Sequence, residues 1–496
     1  MVPSSGRMRD YVRHPAYGEA DLGVPLPDSA HACSVCLPTW ASVLGYEEGR
    51  EKIMRRLKAG YPRFIRNPLV ERLTKRAEED VCGDGERAYL FPTRASAQRA
   101  QRWIERKSKL AVRSVAFDGF QAVIVPDEAA MVAWEYQRFT GELVTSRMAE
   151  DWLNGGLKSG SKMALLKRRL ATIYSTSPDQ VSVFGNGMAA ITALLRSLPG
   201  IAEGRRTLQL EFPYVDSLKL QESFGNGVVL LNEAEGESFE EALQRIAHGE
   251  FAAVFTEVPT NPLLRTVDLE RVSAACREGG TPLIVDDSAV GPQNVRVLPL
   301  ADVVTCSLTK WLSGAGDVMG GLTVVREDSD FSADLAASLR HEAEETCPTG
   351  VGEVQGLLSN LQAYPGRLEG ANETAVRLTE LLSAHPAVAE VWHPSRTSTE
   401  CYEKVRHPDG GYGALLSFAL KAPRRAPRVF DALRVSKGPS FGTRFTLACP
   451  YTLLAHYREL DWAEGCGVPS HLIRVSVGEE DPAELCGIFE EALRSA

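Results

Sequence analysis

From about residue 160 the chain alternates short, nearly continuous apolar runs with longer amphipathic ones. "VSVFG", "TLQLE", "GVVLL", "AAVFTEV" and "PLIVDD" have the pattern of strands buried on both faces. Between them, "KMALLKRRLATIY", "MAAITALLRSL", "FEEALQRIAHG" and "DLERVSAACREGG" repeat apolar positions at helical spacing. The alternation predicts an α/β domain whose mostly parallel sheet is covered by helices on both faces, with ligands at the carboxyl ends of the strands. After "NETAVRLTELLSAHPAVAEVWHP" the character changes: "GALLSFAL" and "LIRVSVG" read as strands and "DPAELCGIFEEALRSA" as a closing helix, which predicts a smaller α+β domain. Ahead of the regular region, "AYLFP" and "AVIVPDE" read as strands, and "SAQRAQRWIERK" and "EAAMVAWEYQRF" as helices, of an appended or inserted unit. The expected division is an N-terminal extension or insertion over 1–150, a large domain over 151–370 and a small domain over 371–496.

Composition narrows the function more than the fold. A formal net charge of -10 over 496 residues argues against a nucleic-acid footprint and for small-molecule work. No apolar run is long enough to span a membrane and the start lacks the apolar core of a secretory signal, so the expected location is the cytoplasm. The 10 cysteines are scattered, as reduced thiols are. Cys33 and Cys36 in "HACSVC", with His31, make at most half of a zinc site; no second half exists, and no metal is expected.

The chemistry gathers around "SLTKWLSGAGDVMGG", where Lys310 stands between small hydroxyl residues and a glycine-rich run. Gly187 and Met188 lie between a strand and a helix, where free N–H groups and the helix dipole favour a phosphate, although a glycine there is often a plain turn. Tyr214 follows a strand, from which its ring could stack on a flat cofactor. Asn261 sits in a turn after a buried strand. Asp286 ends an apolar strand, where a carboxylate needs a cationic partner; a protonated pyridinium nitrogen is the partner pyridoxal chemistry supplies. Asp287 falls on the opposite face. Lys310 would supply the amine, and Ser307 and Thr309 hydroxyls for the phosphate. Arg474, inside a strand-like run, has the planar fork that holds an α-carboxylate. Tyr61 and Arg63 in "GYPRFIRNP" are two apart, on one side of an extended segment, and far enough from the rest in sequence to serve a neighbouring subunit.

As an ordered set these motifs resemble the Cys/Met metabolism family of pyridoxal phosphate enzymes, of fold type I (aspartate aminotransferase-like). "YPRFIRNP" is similar to the family's YxR…NP, "NGMAAI" to SGMAAI, "EVPTNP" to ESPTNP, "IVDDS" to VDNT, "SLTKWLSGAGDVMGG" to SxTKYxxGHSDVxGG and "LIRVSVGEEDPAEL" to IRLSVGIEDPEDL. "HACSVCLPTWASVLGYEEG", "FPYVDSLK" and "KGPSFGTRFTLACPYTLLAHYRELDWA" look like the long cystathionine γ-synthases of fungal type, which also carry an N-terminal extension. The resemblance implies pyridoxal 5'-phosphate as cofactor, Lys310 as its Schiff-base lysine, and Tyr214 and Tyr61 beside it in the catalytic set. It implies that Tyr61 and Arg63 reach the phosphate of the neighbouring subunit's cofactor, that Gly187, Met188, Ser307 and Thr309 hold it from within, and that Asp286 pairs with its nitrogen. Arg474, Ser440 and Thr446 would face the substrate. Phe445 stands where many bacterial relatives carry an acidic residue, which would remove a charge from the entrance, and "GAGDV" lacks the histidine of GHSDV.

The implied reaction is γ-replacement: an amino acid activated at Cγ, such as an O-acyl-L-homoserine, passes through a vinylglycine-type intermediate and is captured by L-cysteine as cystathionine, a step of methionine biosynthesis. Three alternatives stay open. Water could finish the reaction in a γ-lyase. A specialised biosynthetic γ-substitution or carbon–carbon bond formation could use another donor such as S-adenosylmethionine, a possibility kept open by Phe441 and Arg444 beside the substrate positions. A catalytically silent binding protein is the third, against which Lys310 and Asp286 both stand. The expected assembly is a dimer with shared sites, and in this family a tetramer built from two such dimers.

Overall fold

Seven short strands form the sheet on which the site is built. A computed structural model describes residues 8–157, 160 and 162–495; Ala496, at the end of the predicted closing helix, lies outside them. The first 150 residues hold strands β1 (Glu86–Phe91), β2 (Arg113–Phe117) and β3 (Phe120–Pro126). The central sheet consists of β4 (Val181–Phe184), β5 (Thr207–Leu210), β6 (Val228–Leu231), β7 (Val254–Glu257), β8 (Leu283–Asp286), β9 (Val303–Ser307) and β10 (Gly321–Val325), in the order β4-β10-β9-β8-β7-β5-β6. Neighbours from β9 through β6 pair in parallel, while β10 runs antiparallel between β4 and β9. β4, β7 and β8 have buried apolar side chains on both faces, and β5 buries Leu208 and Leu210 on one face and Thr207 and Gln209 on the other. The closing antiparallel strand starts at Gly321, where a Cβ would stand 2.3 Å from the Asn186 carbonyl oxygen; only glycine lets β10 come this close to the β4 turn.

The N-terminal region divides by its contacts. In the antiparallel sheet β1-β3-β2, Tyr89, Phe91, Val123 and Val125 pack with Trp103 and Tyr136 of the helices Arg94–Ser108 and Ala130–Thr140. Ala88, Leu90, Ala122 and Ile124 face the other way, onto helices Pro68–Val81 and Ser146–Leu153. This is the two-residue period of a strand with both faces covered. Phe224 of the large domain stacks on Trp103 at 4.8 Å and joins the two units. The first residues belong elsewhere: Ala16 N–H donates to Ser436 Oγ at 3.0 Å, the buried Lys437 Nζ donates to the Pro38 carbonyl at 2.8 Å, and Tyr11 packs on Phe445. They lie along the C-terminal five-stranded sheet, β11 (Val388–Trp392), β12 (Leu415–Leu420), β15 (Ile473–Ser476), β14 (Leu447–Pro450) and β13 (Ser436–Lys437) in spatial order. Among the described residues no helix is long and apolar enough to cross a membrane.

Candidate active site

The carboxyl ends of β5, β7, β8 and β9 open onto one cavity of about 510 Å³, where loops must leave a parallel sheet. Lys310 enters it three residues after β9 ends. Its Nζ donates to Ser440 Oγ at 3.0 Å and lies 4.8 Å from the Tyr61 ring centroid and 4.6 Å from that of Phe441. Among the described residues no carboxylate pairs with it. Burial, with Arg474 and Arg63 nearby, lowers its pKa to about 7, so the amine is available as a neutral base or nucleophile near neutrality. The loop carrying Ser440 closes on Lys310 at Gly442, which has φ +78° and would place a Cβ within 3.0 Å of the Lys310 Cα.

Asp286 and Glu257 stand side by side at the ends of β8 and β7. Asp286 lines the cavity, accepts from Ser288 N–H at 2.8 Å and has its pKa raised by burial to about 6. Asp287 turns into the core toward the Tyr174 hydroxyl at 3.0 Å. Glu257 accepts from Tyr214 N–H at 2.6 Å and Asn261 N–H at 2.9 Å, so one carboxylate fixes both loops. Burial, reinforced by the charge of Asp286, raises its pKa to about 8. Sequence reading passed over Glu257, although it opens the quoted "EVPTNP".

At the other end of the cavity lie Gly187, Met188 and Ser307. Gly187 and Met188 begin the helix Gly187–Ser197, and Asn186 caps it by accepting from Ala189 N–H at 3.0 Å; N–H groups of a first helical turn have no carbonyl within the helix. A Cβ on Gly187 would stand 3.2 Å from Ser307 Cβ, narrowing this cradle. Tyr61 and Arg63 also line the cavity of the chain that carries them. They sit on a tight turn, not an extended segment: Phe64 and Ile65 N–H groups donate to the Tyr61 carbonyl at 2.8 and 2.9 Å. The physical cause is that the chain folds back at once into the helix Pro68–Val81, whose unit covers the turn. Arg63 is buried and donates to Asp216 at 2.6 Å, the Arg138 carbonyl at 2.6 Å and the Tyr214 hydroxyl at 2.6 Å. Arg138 also pairs with Asp216, at 3.2 Å. Neither Asp216 nor Arg138 was singled out in sequence; Asp216 stands two residues after Tyr214, whereas nothing local marks Arg138.

On the substrate side Arg474 projects from β15. It donates to Asn261 Oδ1 at 3.0 Å and the Pro439 carbonyl at 2.8 Å, and the Tyr451 ring centroid lies 4.7 Å away. Its hydrogen-bond acceptors are neutral, which leaves the positive charge free for a carboxylate. Three residues lie elsewhere than motif position suggests. The Thr446 hydroxyl donates to Glu480 at 2.6 Å, away from the cavity lining. Thr309 is likewise outside the lining and accepts from Gly320 N–H at 3.1 Å, closing the glycine-rich loop. Phe445 is buried with Tyr11, Leu26 and Leu447, so it is no part of the entrance. Arg444 points outward to Glu479, whereas Phe441 does line the cavity.

Residues 160–494 match the family model described as Cys/Met metabolism PLP-dependent enzyme. The chain belongs to that family. Residues 69–145, the unit that covers the arm, match the N-terminal domain of fungal trans-sulfuration enzymes. Over 96% of this chain and 98% of the relative, it is 28% identical to a cystathionine gamma-synthase of Neurospora crassa. It is 32% identical, over 95% of this chain and 98% of the relative, to an L-2-amino-4-chloropent-4-enoate dechlorinase/desaturase of Streptantibioticus cattleyicolor. Among solved structures, cystathionine gamma synthase from Xanthomonas oryzae pv. oryzae in complex with cystathionine aligns with a TM-score of 0.60 and 25% identity, covering 68% of this chain and 86% of that one.

A Cys/Met metabolism enzyme depends on pyridoxal phosphate, and the cavity suits that group. Lys310 is a buried amine without a carboxylate partner among the described residues. Asp286 is a half-buried carboxylate that no cation pairs with among the described residues. Arg63 and Arg138 share the single carboxylate of Asp216, an excess of positive charge beside a helix N-terminus. Among the described residues no cluster of metal-binding side chains occurs.

Proposed function

We propose that the chain catalyses γ-replacement on a γ-activated amino acid, with an O-acyl-L-homoserine as donor and L-cysteine as acceptor, giving cystathionine. The observation that carries this reading is the pairing, in one cavity, of the uncompensated Lys310 amine with the carboxylate-free Arg474 fork. Pyridoxal phosphate, when bound, supplies the electron sink that makes protons at Cα and Cβ labile. Gly187, Met188, Ser307 and Arg63 would hold its phosphate, Tyr214 its ring, and Asp286 the proton on its nitrogen.

Arg474 grips the donor's α-carboxylate and orients Cα toward Lys310. Lys310 Nζ takes the Cα proton, then works at Cβ, and the acyloxy group leaves from Cγ as a carboxylate. L-cysteine adds as its thiolate, the thiol proton having passed to solvent beside the departed carboxylate; its sulfur bonds to Cγ, and Lys310 returns to Cβ and Cα the protons it took from them. A base with a pKa near the working pH serves such two-way transfer well, and the Lys310 value of about 7 meets that need. Ser440 steers the amine between these positions through its 3.0 Å hydrogen bond.

A second reading, specialised γ-substitution with a larger acceptor, is favoured by the lining of the outer cavity: Met54, Phe64, Ile65, Met131, Trp134 and Leu454. Both readings meet the same experiment. The cofactor-loaded protein is mixed with O-succinyl- or O-acetyl-L-homoserine, with and without cysteine, and the products are identified by mass spectrometry. Cystathionine that forms only with cysteine is the expected result. Release of 2-oxobutyrate regardless of cysteine would mean a lyase, and no product from either donor would move the conclusion to the second reading.

A further inference from the structure

Behind Asp286, on the core side of the sheet, stands a carboxylate that the reaction steps leave unused. Asp287 continues the two-residue period of β8, so its side chain turns away from the cavity and is fully buried. Its backbone stays tied to β9, its N–H donating to the Thr305 carbonyl at 3.2 Å. The Tyr174 hydroxyl, at the end of helix Met163–Tyr174, donates to its two oxygens at 3.2 and 3.0 Å. The Cys306 thiol hydrogen-bonds it as well. Cys306 lies on β9 between Thr305 and Ser307, which line the cavity, and so it too faces the core.

Both side-chain partners of Asp287 are donors, the surroundings that an ionised carboxylate needs. Among the described residues no cation pairs with it. In the motif VDNT, to which "IVDDS" is similar, this place belongs to asparagine. Asparagine would accept from Tyr174 without carrying a charge, whereas a charge buried without a cation is costly. Packing alone therefore does not account for a carboxylate here. Glu257 also stands beside Asp286, but a loop N–H engages each of its two oxygens, which accounts for it. The cation that the site suits lies on the other side of Asp286: the protonated ring nitrogen of pyridoxal phosphate. Burial raises the pKa of Asp287 to about 7, against its hydrogen bonds to Cys306 and Tyr174. A positive ring beside Asp286 moves it back toward the charged form.

We propose that Asp287 is a positioning residue for Asp286: its charge, seated on Tyr174 and Cys306, lies behind the ring-facing carboxylate and strengthens the hold of that carboxylate on the protonated ring nitrogen. Asp287 touches neither cofactor nor substrate and acts through its field, which a buried setting screens little. The proposal rests on Asp286 facing the ring nitrogen, as set out under the proposed function, and not on the identity of donor or acceptor.

The test compares pyridoxal phosphate with its 1-deaza analogue, in which carbon replaces the ring nitrogen while aldehyde and phosphate are kept. Binding of each to the full-length apoprotein is measured by equilibrium dialysis, and the ratio of the two affinities isolates what the protein gains from the nitrogen. In Asp287→Asn the ratio should fall by roughly tenfold, the effect of one charge on a neighbouring acid, with affinity for the deaza analogue unchanged. Tyr174→Phe, which removes a donor from the same charge, should lower the ratio by less. If both affinities fall together in Asp287→Asn, the residue only holds its loop and the proposal is overturned; two unchanged affinities overturn it as well. Should Asp287→Asn not fold, Tyr174→Phe decides alone, and a wild-type ratio there is the contrary result. Asp286→Asn keeps the two readings apart. A lowered ratio in that variant with a wild-type ratio in Asp287→Asn sinks this proposal alone, whereas a wild-type ratio in Asp286→Asn removes Asp286 from the ring nitrogen and this proposal with it.

Discussion

The two walls of the cavity are made in different ways. The floor consists of residues at the ends of parallel strands or on the loops that leave them: Tyr214 after β5, Glu257 on β7, Asp286 on β8, Lys310 after β9. Glu257 and Asp286 end strands that pair across the sheet, and Tyr214 and Lys310 stand on loops that leave it. The roof comes from a turn and a helix outside that sheet, Tyr61 to Arg63 and Arg138, which hold one another through Asp216 and stacked rings. Under the proposed function the contrast is a division of labour: the floor would set the chemistry, and the roof retention of the cofactor and access to it.

That division can be broken at its strongest point first. Lys310→Ala should abolish the visible absorbance of the cofactor-loaded protein and lower turnover by at least ~10²–10⁴-fold, the range for a lost acid–base group; spectra and rates on one preparation check this. Asp286→Asn should keep the cofactor bound yet lower kcat by about 10²-fold, because a buried charge pair is worth ~3 kcal/mol and ~1.4 kcal/mol is tenfold in rate. Arg474→Gln should act on donor KM, raising it by roughly 10- to 100-fold for the loss of charge-assisted hydrogen bonds of ~1.5–3 kcal/mol. Arg63→Ala probes the roof: equilibrium dialysis should show weaker cofactor binding, with far-UV circular dichroism unchanged. A floor-like result there, with binding intact and kcat collapsed, would erase the contrast. Smallest is Glu257→Gln, where the amide keeps one acceptor oxygen and turns an NH2 group toward the second N–H; a change of about tenfold is expected.

The same contrast has a pH signature. Lys310, lowered to about 7 chiefly by burial, loses its proton as pH rises through that value. Capture of pyridoxal phosphate by the apoprotein, followed by absorbance, should therefore accelerate from pH 6 to 8 and then level off. Acceleration continuing up to the ordinary lysine range would mean that the amine is not held in a desolvated setting.

Much of the floor was legible in sequence because its residues follow apolar runs in chain order, each loop beginning where hydrophobicity stops. Asp286 could be told from Asp287 by the strand's two-residue period. The roof was only half legible. "GYPRFIRNP" identified the arm, but the chain's return over it is a tertiary fact, and Arg138 lies 75 residues from Arg63 with no motif of its own. Thr446 and Phe445 show a different limit. Motif position placed them by the site, yet the residues just ahead of β14 turn toward Glu480 and Tyr11, partners supplied by the C-terminal helix approach and the N-terminal segment. Thr309 fell short for a local reason: Gly320 returns near enough to engage its hydroxyl.

The central claim is that Lys310 is the amine that holds the cofactor above Asp286. Borohydride reduction of the loaded protein fixes the cofactor to whichever amine carries it, and peptide mass mapping then locates the label. The account predicts a single pyridoxyl adduct on Lys310, absent from the Lys310→Ala variant. An adduct on another lysine, or none on a protein that keeps its visible absorbance, would contradict it.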